Sequence, residues 1–229
     1  MKIKHLLFDL DNTLYPSTSA MDAGITKRMM ECVAEFFHCD TQTAYKIRAE
    51  KIGKFSTTLE WLRSEGLTDI EAYLAHVHPE NEADELQPQE NLRELLLSLP
   101  YQKSILTNAN HEHAHRVLKK LGIEDLFVTV SDIRDAGFKG KPYWNAYESA
   151  LKKVDAEIQT TLFLDDMWKY TDGWTIHGGN AVLVGPKNGN HLAPDALPML
   201  NAPQIPAGKT FKIPDIFSLP DLLKTIDNN

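Results

Sequence analysis

The chain has 229 residues, 42 % apolar and 24 % charged, a composition typical of a globular domain that buries a sizeable core. Its 24 basic and 32 acidic side chains give a formal net charge of −8, which argues against a surface for nucleic-acid polymers. No apolar run approaches the ~20 residues of a membrane span, and Asp9 comes too early for the apolar region of a secretory signal. We therefore expect a cytoplasmic protein that does not enter membranes, with Cys32 and Cys39 as free thiols.

The first predicted element is a buried strand over residues 4–8, which stops at a charged tip. Asp9 and Asp11 follow it, and in an extended backbone both carboxylates point to one side. At ~4 Å and an effective dielectric constant of about 20, two such charges repel by roughly 4 kcal/mol. A cation, a shared proton or bulk water must relieve that repulsion, and this stretch alone leaves both a surface turn and a catalytic site open.

Helical patterns dominate the next 70 residues. Apolar side chains recur every four positions at Met21, Ile25, Met29, Val33 and Phe37. This spacing predicts a helix over about 20–38, and we expect further helices over 41–53, 57–64 and 69–77. Because no stretch between them has the pattern of a strand, residues 17–87 are predicted to form an inserted, all-helical unit.

From residue 88 onward, short apolar strands alternate with helices. We predict strands at 103–106, 126–130, 160–164 and 181–184, and helices at 90–99, at 111–121 between a cap at Asn110 and Gly122, and at 142–154 with Pro142 as first residue. This alternation predicts an α/β fold, a Rossmann-like parallel sheet with helices on both faces, built from residues 1–16 and 88–229. The tail, residues 186–229, holds seven of the twelve prolines, and we expect irregular chain there before a last helix near 219–226.

Polar side chains follow several of the predicted strands. Asp9 and Asp11 come after the first strand, Thr107 after the strand at 103–106, and Asp165 after the strand at 160–164. Ligands of such sheets bind at the carboxyl ends of the strands. We therefore expect these side chains to lie together.

Four stretches carry a family resemblance: Asp9-Leu-Asp-Asn-Thr13, Thr107-Asn108, Lys141-Pro142 and Asp165-Asp166. In order and spacing they resemble the four motifs of the haloacid dehalogenase (HAD) superfamily, over about residues 4–186. The inserted helical unit resembles the C1 cap of subclass I. Residues 8–17, Thr57-Thr-Leu59 and Leu106-Thr-Asn-Ala109 further resemble the pyrimidine 5′-nucleotidase-like branch.

The resemblance implies a phosphatase that hydrolyses a small phosphomonoester through an aspartyl-phosphate intermediate. Asp9 would be the nucleophile, and Asp11 would protonate the leaving alcohol and then activate water. The phosphoryl oxygens would be bound by Lys141, the Thr107 hydroxyl and the Asn108 backbone amide. Lys139 is a near neighbour that lacks the following proline.

The resemblance also implies Mg²⁺, which prefers hard oxygen ligands. The implied ligands are Asp9, Asp11, Asp165 and Asp166. The family's fourth motif usually continues with a small residue and then Asn or Asp, whereas Met167 and Tyr170 occupy those positions here. Asp172 is a candidate substitute in the outer shell of the metal, although its helical phase differs. The departure over residues 167–172 puts metal affinity in question rather than the reaction type.

Other residue clusters have simpler interpretations. His111, His113 and His115 are more typical of a solvated helix face than of a metal site, and we expect His76 and His78 at the surface. Trp61 and Tyr73 suit the core of the helical unit better than a stack on a nucleobase.

The implied substrate is a nucleoside 5′-monophosphate, pyrimidine ones first. One alternative is a phosphatase for a sugar phosphate or another small metabolite. A dehalogenase is disfavoured, because Asp11 serves phosphate hydrolysis and dehalogenase relatives lack an acid there. The second alternative is a non-catalytic, phosphate-binding regulatory module, and the oligomeric state stays open.

Overall fold

The computed structural model describes residues 2–16, 20–186, 189–192 and 207–227. A six-stranded, all-parallel sheet runs through it in the order β3-β2-β1-β4-β5-β6. The strands are β1 (His5–Phe8), β2 (Gln102–Leu106), β3 (Val130–Ser131), β4 (Thr161–Asp165), β5 (Asn180–Val184) and β6 (Thr210–Ile213). The predicted Rossmann-like α/β class is confirmed.

The helices lie in three parts of the chain. Between β1 and β2 are α1 (Ala20–Phe36), α2 (Thr41–Lys51), α3 (Thr58–Ser64), α4 (Ile70–Val77) and α5 (Leu92–Ser98). Between the later strands are α6 (His111–Leu121), α7 (Trp144–Lys153) and α8 (Trp168–Thr175), and α9 (Leu219–Asp227) follows β6. Within the described residues, no helix combines the length and apolar character needed to cross a bilayer.

Strand β1 occupies the middle of the sheet because all of its side chains are apolar or buried. Leu6 and Phe8 face one apolar cluster, and Leu7 faces a second cluster on the opposite side of the sheet. Phe8 is in register with Ile105 of β2 and Leu164 of β4. The residues that follow these three strands therefore meet at one edge of the sheet.

A third apolar cluster lies within the helical segment 20–77, together with Ile133 from the core. Trp61 is fully buried there, and its ring stacks on Phe37 at 5.3 Å between centroids. The interpretation as a core residue is confirmed for Trp61, while Tyr73 belongs to the same cluster but also borders a cavity. The division into 17–87 and the remaining chain stays a prediction.

Three predicted elements were wrong in part. The strand expected at 126–130 is confined to Val130–Ser131, because the preceding apolar residues, Leu126 and Phe127, pack against the core instead of extending the ladder. The helix expected from Pro142 begins at Trp144, because a turn closes from the Tyr143 amide to the Gly140 carbonyl at 3.1 Å.

The third difference is β6, which lies in the tail that we expected to be irregular up to its last helix. Its Thr-Phe-Lys-Ile sequence pairs with β5 from Ala181↔Thr210 to Val184↔Ile213. A strand of four residues, ended by Pro214, is too short to show a pattern before the neighbouring strand is known. The final helix, α9, is confirmed, while residues 187–188 and 193–206 of the tail lie outside the described residues.

His5, the first residue of β1, predicts a specific acid sensitivity. It is 2 % exposed, and its Nε2 lies 2.7 Å from Ser104 Oγ. Burial lowers the pKa of His5 to about 4, against the opposing hydrogen bond with Gln102. Because the folded pKa lies below the unfolded value of about 6.5, the unfolded state binds the extra proton, and stability falls by about 3 kcal/mol as pH decreases from about 6.5 to about 4.

The variant His5→Gln retains a polar group beside Ser104 but does not titrate. Urea unfolding at pH 7 and at pH 4.5 measures the effect, and we expect the variant to lose less stability between these pH values than the parent protein. An equal loss in both proteins would show that His5 is not the group responsible.

Candidate active site

The carboxyl ends of β1, β2 and β4 border a cavity of about 320 Å³ beneath the helical segment. From the core it is lined by Asp9, Asp11, Thr107, Asn108, Lys141 and Asp166. From the helical segment it is lined by residues that include Arg48, Thr58 and Tyr73. The residues expected at the strand ends are thus brought to one place, and Asp165 lies directly beside them through its contact with Lys141.

Lys141 is fully buried and joins two carboxylates. Its Nζ donates to Asp9 Oδ1 and to Asp165 Oδ2, each at 2.6 Å. Burial alone lowers the pKa of Lys141, but the charges of Asp165 and Asp9 outweigh it and hold that pKa above its ordinary value. The ammonium group is therefore charged and sits at the floor of the cavity.

Asn108 positions the backbone of Lys141. Its Oδ1 accepts from the Lys141 amide at 2.8 Å, and its Nδ2 donates to the Lys141 carbonyl at 3.1 Å. A Cβ at Gly140 would lie 2.1 Å from Asn108 Oδ1, so only glycine permits this approach. The Asn108 side chain thus has a structural task that the sequence did not reveal, and the roles of its backbone amide and of Thr107 in phosphate binding stay predictions.

Asp9, Asp165 and Asp166 form a cluster in which one oxygen of each lies within 4.8 Å of the others. Thr13 Oγ1 donates to Asp9 Oδ2 at 3.0 Å, and the Met167 amide donates to Asp165 Oδ1 at 2.9 Å. Burial, followed by the charges of Asp165 and Asp9, raises the pKa of Asp166. Burial likewise raises the pKa of Asp9, with Lys141 opposing it.

Burial and, after it, the neighbouring carboxylates raise these two pKa values, so negative charge is costly at the site. Three carboxylates lie together, of which Asp9 and Asp165 share the ammonium group of Lys141, and a divalent cation would relieve their mutual repulsion. An all-oxygen donor set fits a hard cation such as Mg²⁺. Asp9, Asp165 and Asp166 are therefore suited to hold a metal, whereas the predicted participation of the Asp11 side chain remains a prediction.

Asp11 has different partners. Its Oδ1 accepts from the Tyr15 hydroxyl at 2.5 Å and lies 2.7 Å from His113 Nε2. Burial raises the pKa of Asp11, but the His113 charge and these hydrogen bonds outweigh it and hold the pKa below its ordinary value. Asp11 is thus an ionised carboxylate in this structure.

His113 lies between two carboxylates and has no exposed surface. Its Nδ1 is 2.7 Å from Oε1 of Glu82, a residue that is also buried. Burial by itself lowers the pKa of His113, but Asp11 and Glu82 raise it to about 10. The ring is therefore an imidazolium at neutral pH, with one N–H donated to each carboxylate.

The prediction of a solvated histidine face was wrong for His113 and correct for His111 and His115, which are exposed. His113 precedes Val117 and Leu121 by four and eight residues, so it shares their buried face of α6. That spacing was the signal in the sequence. The expectation of a surface position for His78 was also wrong, since His78 is 9 % exposed and its Nδ1 contacts Glu82 Oε2 at 3.0 Å.

The unusual stretch after Asp166 connects the core with the helical segment. Lys169 Nζ donates to the Ser56 carbonyl at 3.2 Å, and the Tyr170 hydroxyl reaches the same carbonyl at 3.4 Å. Met167, Lys169 and Tyr170 all line the cavity. Asp172 instead accepts from His191 Nδ1 and the Leu192 amide, each at 2.9 Å, so its carboxylate faces the tail and not the acidic cluster.

With this geometry established, comparison with known proteins decides the family. The profile of haloacid dehalogenase-like hydrolases matches residues 3–168, which is most of the chain. The chain belongs to this family of hydrolases. The predicted superfamily is thereby confirmed, while the pyrimidine nucleotidase-like branch stays a prediction.

Solved structures of the same fold include enzymes with different reactions. L-2-haloacid dehalogenase from Xanthobacter autotrophicus is 19% identical, with a TM-score of 0.60 over 97% of this chain and 98% of that one. A HAD phosphatase from Thermococcus onnurineus is 18% identical, with a TM-score of 0.63 over 96% and 98%. The putative HAD-hydrolase YfnB from Bacillus subtilis, bound to magnesium, is 17% identical, with a TM-score of 0.61 over 98% and 100%. At these identities the likeness establishes the fold.

Proposed function

We propose that this HAD-family hydrolase is a Mg²⁺-dependent phosphatase that acts on a small phosphomonoester. One observation carries the proposal. The Asp9 carboxylate lies at the strand end with Lys141 at 2.6 Å, while Asp11, two residues away, is held by separate partners, Tyr15 and His113. The proposed nucleophile and the proposed acid–base group therefore have different partners within one cavity.

In the proposed reaction, a carboxylate oxygen of Asp9 attacks phosphorus and the bond from phosphorus to the substrate oxygen breaks. The leaving oxygen takes a proton from the Asp11 carboxyl group, and the alcohol departs. Asp11, now ionised, accepts a proton from water, whose oxygen attacks phosphorus and breaks the aspartyl–phosphate bond. Inorganic phosphate is released, and Asp9 returns to its carboxylate form.

Asp11 must be protonated for the first step, although its pKa is held low in this structure. A phosphate dianion that enters the cavity places negative charge beside Asp11 and raises the pKa of that residue. The ionised form suits the second step, in which Asp11 accepts a proton. The two steps thus use the two protonation states in order.

Positive charge on the transferred oxygens is supplied by this chain through Lys141. Asp9, Asp165 and Asp166 would hold the Mg²⁺, which when bound adds charge neutralisation at the same oxygens. The helical segment above the cavity would exclude water from the reacting atoms.

For the substrate class, we propose a nucleoside 5′-monophosphate, with pyrimidine ones first. The support is the motif resemblance together with a cavity large enough for more than a phosphate group, about 320 Å³. Two cationic side chains besides Lys141 line it. They are Lys169 and Arg48, whose Nε donates to Thr58 Oγ1 at 2.8 Å. Such cations suit the carbonyl groups of a base or the hydroxyl groups of a sugar, so a sugar phosphate is the main competitor.

The test is phosphate release from nucleoside monophosphates, sugar phosphates and an aryl phosphate, each with Mg²⁺ and with EDTA. We expect metal-dependent release that is fastest for UMP or CMP. Faster release from sugar phosphates would retain the phosphatase and reject the nucleotide preference.

Two further measurements distinguish the proposed phosphatase from a dehalogenase and from a phosphate-binding module. Halide release from a 2-haloacid, with no phosphate release from any ester, would overturn the proposal in favour of a dehalogenase. A Mg²⁺-dependent rise in melting temperature without turnover of any substrate would favour the phosphate-binding module.

A further inference from the structure

The two oxygens of Asp11 have unequal surroundings. Oδ1 receives both close contacts, from the Tyr15 hydroxyl at 2.5 Å and from His113 Nε2 at 2.7 Å. Two donors on one oxygen restrict rotation of the carboxyl group about its Cβ–Cγ bond. Because Asp11 lines the cavity, the direction of its second oxygen is decided by what holds Oδ1.

His113 is held in turn at its far nitrogen. Nδ1 contacts Glu82 at 2.7 Å, and the ring has no exposed surface. A ring bonded at both nitrogens cannot turn without losing a contact at one end. His113 and Glu82 do not line the cavity, whereas His78, which contacts Glu82, does. The hydrogen bonds of His113 connect Glu82 to the cavity through Asp11.

Glu82 lies where the chain returns from the helical segment to the core, in the short turn Glu82–Glu85 between α4 and α5. Arg116 of α6 donates to Glu82 Oε1 at 2.9 Å and to the His78 carbonyl at 2.9 Å. Arg28 of α1 lies 3.6 Å from Glu82 Oε2 and donates to the Val77 carbonyl at 2.8 Å. The same carboxylate therefore binds side chains from the helical segment and from the core.

The group His78, Glu82 and His113 also has the side-chain types of a metal site. Both oxygens of Glu82 are already engaged by ring nitrogens, and the guanidinium groups of Arg116 and Arg28 lie beside them. Two adjacent positive charges oppose the entry of a cation. The arrangement favours a hydrogen-bonded chain over a second metal centre.

We propose that Tyr15, His113 and Glu82 form a positioning chain for Asp11. The chain aligns the Asp11 carboxyl group with the leaving oxygen of the substrate. It also makes that alignment depend on the placement of the returning segment, residues 78–85. This proposal rests on the proposed function, because it assumes that Asp11 protonates the leaving group.

The dependence of the rate on the leaving group distinguishes a positioning role of these residues from a purely structural one. A nitrophenyl phosphate releases a phenolate that is stable without protonation, whereas an alkyl phosphate such as a nucleoside monophosphate needs the proton of Asp11. In a single turnover, where release of the alcohol or the nitrophenol reports the first step alone, misalignment of Asp11 therefore slows the alkyl substrate selectively. A general loss of folded protein slows both substrates equally.

The variants are Tyr15→Phe, His113→Gln and Glu82→Gln, each of which changes the volume little. We expect the single-turnover rate of alcohol release from the alkyl phosphate to fall by about tenfold or more, and that of nitrophenol release to fall less than about threefold. KM for the two substrates should change little. His5→Gln is the matched control for His113→Gln, since His5 is also buried and hydrogen-bonded but lies at the opposite end of β1. The control should retain the parent ratio of the two rates.

Tyr15→Phe and Glu82→Gln keep the test decisive if His113→Gln does not fold. Equal losses on both substrates in these two variants would overturn the positioning chain and leave the proposed function intact. A parent protein that hydrolyses only the nitrophenyl ester would also overturn it, because Asp11 would then not act as an acid. A parent protein that hydrolyses neither ester would overturn the proposed function, and this inference with it.

Discussion

Replacing Asp9 by Asn is expected to abolish phosphate release, with a fall in kcat of about 10⁴-fold or more. The amide nitrogen and oxygen are poor nucleophiles, so the proposed aspartyl-phosphate cannot form. The fold should persist, because the substitution removes one negative charge from a cluster in which Asp9, Asp165 and Asp166 already repel each other. Lys141 keeps its contact with Asp165. Phosphate release measures the loss of turnover, and thermal melting of the same preparation measures whether the fold persists.

The matched control for that variant is Asp172→Asn. Asp172 also accepts two hydrogen bonds, from His191 and the Leu192 amide, but its carboxylate lies outside the cavity. We expect its turnover to stay within about threefold of the parent value, as for surface polar contacts. Full activity of Asp9→Asn would exclude Asp9 as nucleophile and would remove the basis of the proposed mechanism.

Replacing Lys141 by Met is expected to reduce both stability and activity. The buried ammonium group contacts Asp9 and Asp165 at 2.6 Å each, and its loss leaves buried carboxylates without that counter-charge. Breaking a buried ion pair from one side destabilises by about 3–5 kcal/mol. The transferred phosphoryl group also loses its cation, for which we expect a fall in kcat of about 10³-fold.

Urea unfolding with and without Mg²⁺ measures the stability change for this second variant. If Asp9, Asp165 and Asp166 hold the metal, Mg²⁺ should stabilise Lys141→Met more than the parent protein, because the metal is then the remaining counter-charge. Lys139→Met is the control, since the exposed Lys139 contacts the Tyr143 ring at 5.7 Å instead of the acidic cluster. Similar losses in the two variants would mean that the effect is not electrostatic in origin.

In the structure, residues 167–172, where the fourth motif departs from the family pattern, contact the helical segment. Lys169 and Tyr170 hold the Ser56 carbonyl of the helical segment, next to the Thr57-Thr-Leu59 stretch that lines the cavity. The residues that replace the family's usual pattern thus connect the core to the segment above the substrate cavity. Asp172 does not substitute for the missing acid, because His191 and Leu192 occupy it.

The amino-acid sequence by itself determined the sheet core, most helix positions and the convergence of Asp9, Asp11, Thr107 and Asp165, whereas Lys141 was implied by the family resemblance. Each of these depends on local patterns, such as an apolar run, a four-residue period or a polar residue after a strand. The parallel order then forces strand ends to one edge of the sheet. Each of these patterns can be recognised without knowing which distant residues it contacts in the fold.

Only the tertiary structure decided how those residues are supported. His113 and Glu82 are separated by 31 positions, and His113 and Asp11 by 102, so no local pattern relates them. Strand β6 likewise depends on the edge of β5, and the Asn108 side chain on the close approach of Gly140. A buried charge is stable only where the fold supplies its partners, and those partners come from segments that only folding brings together.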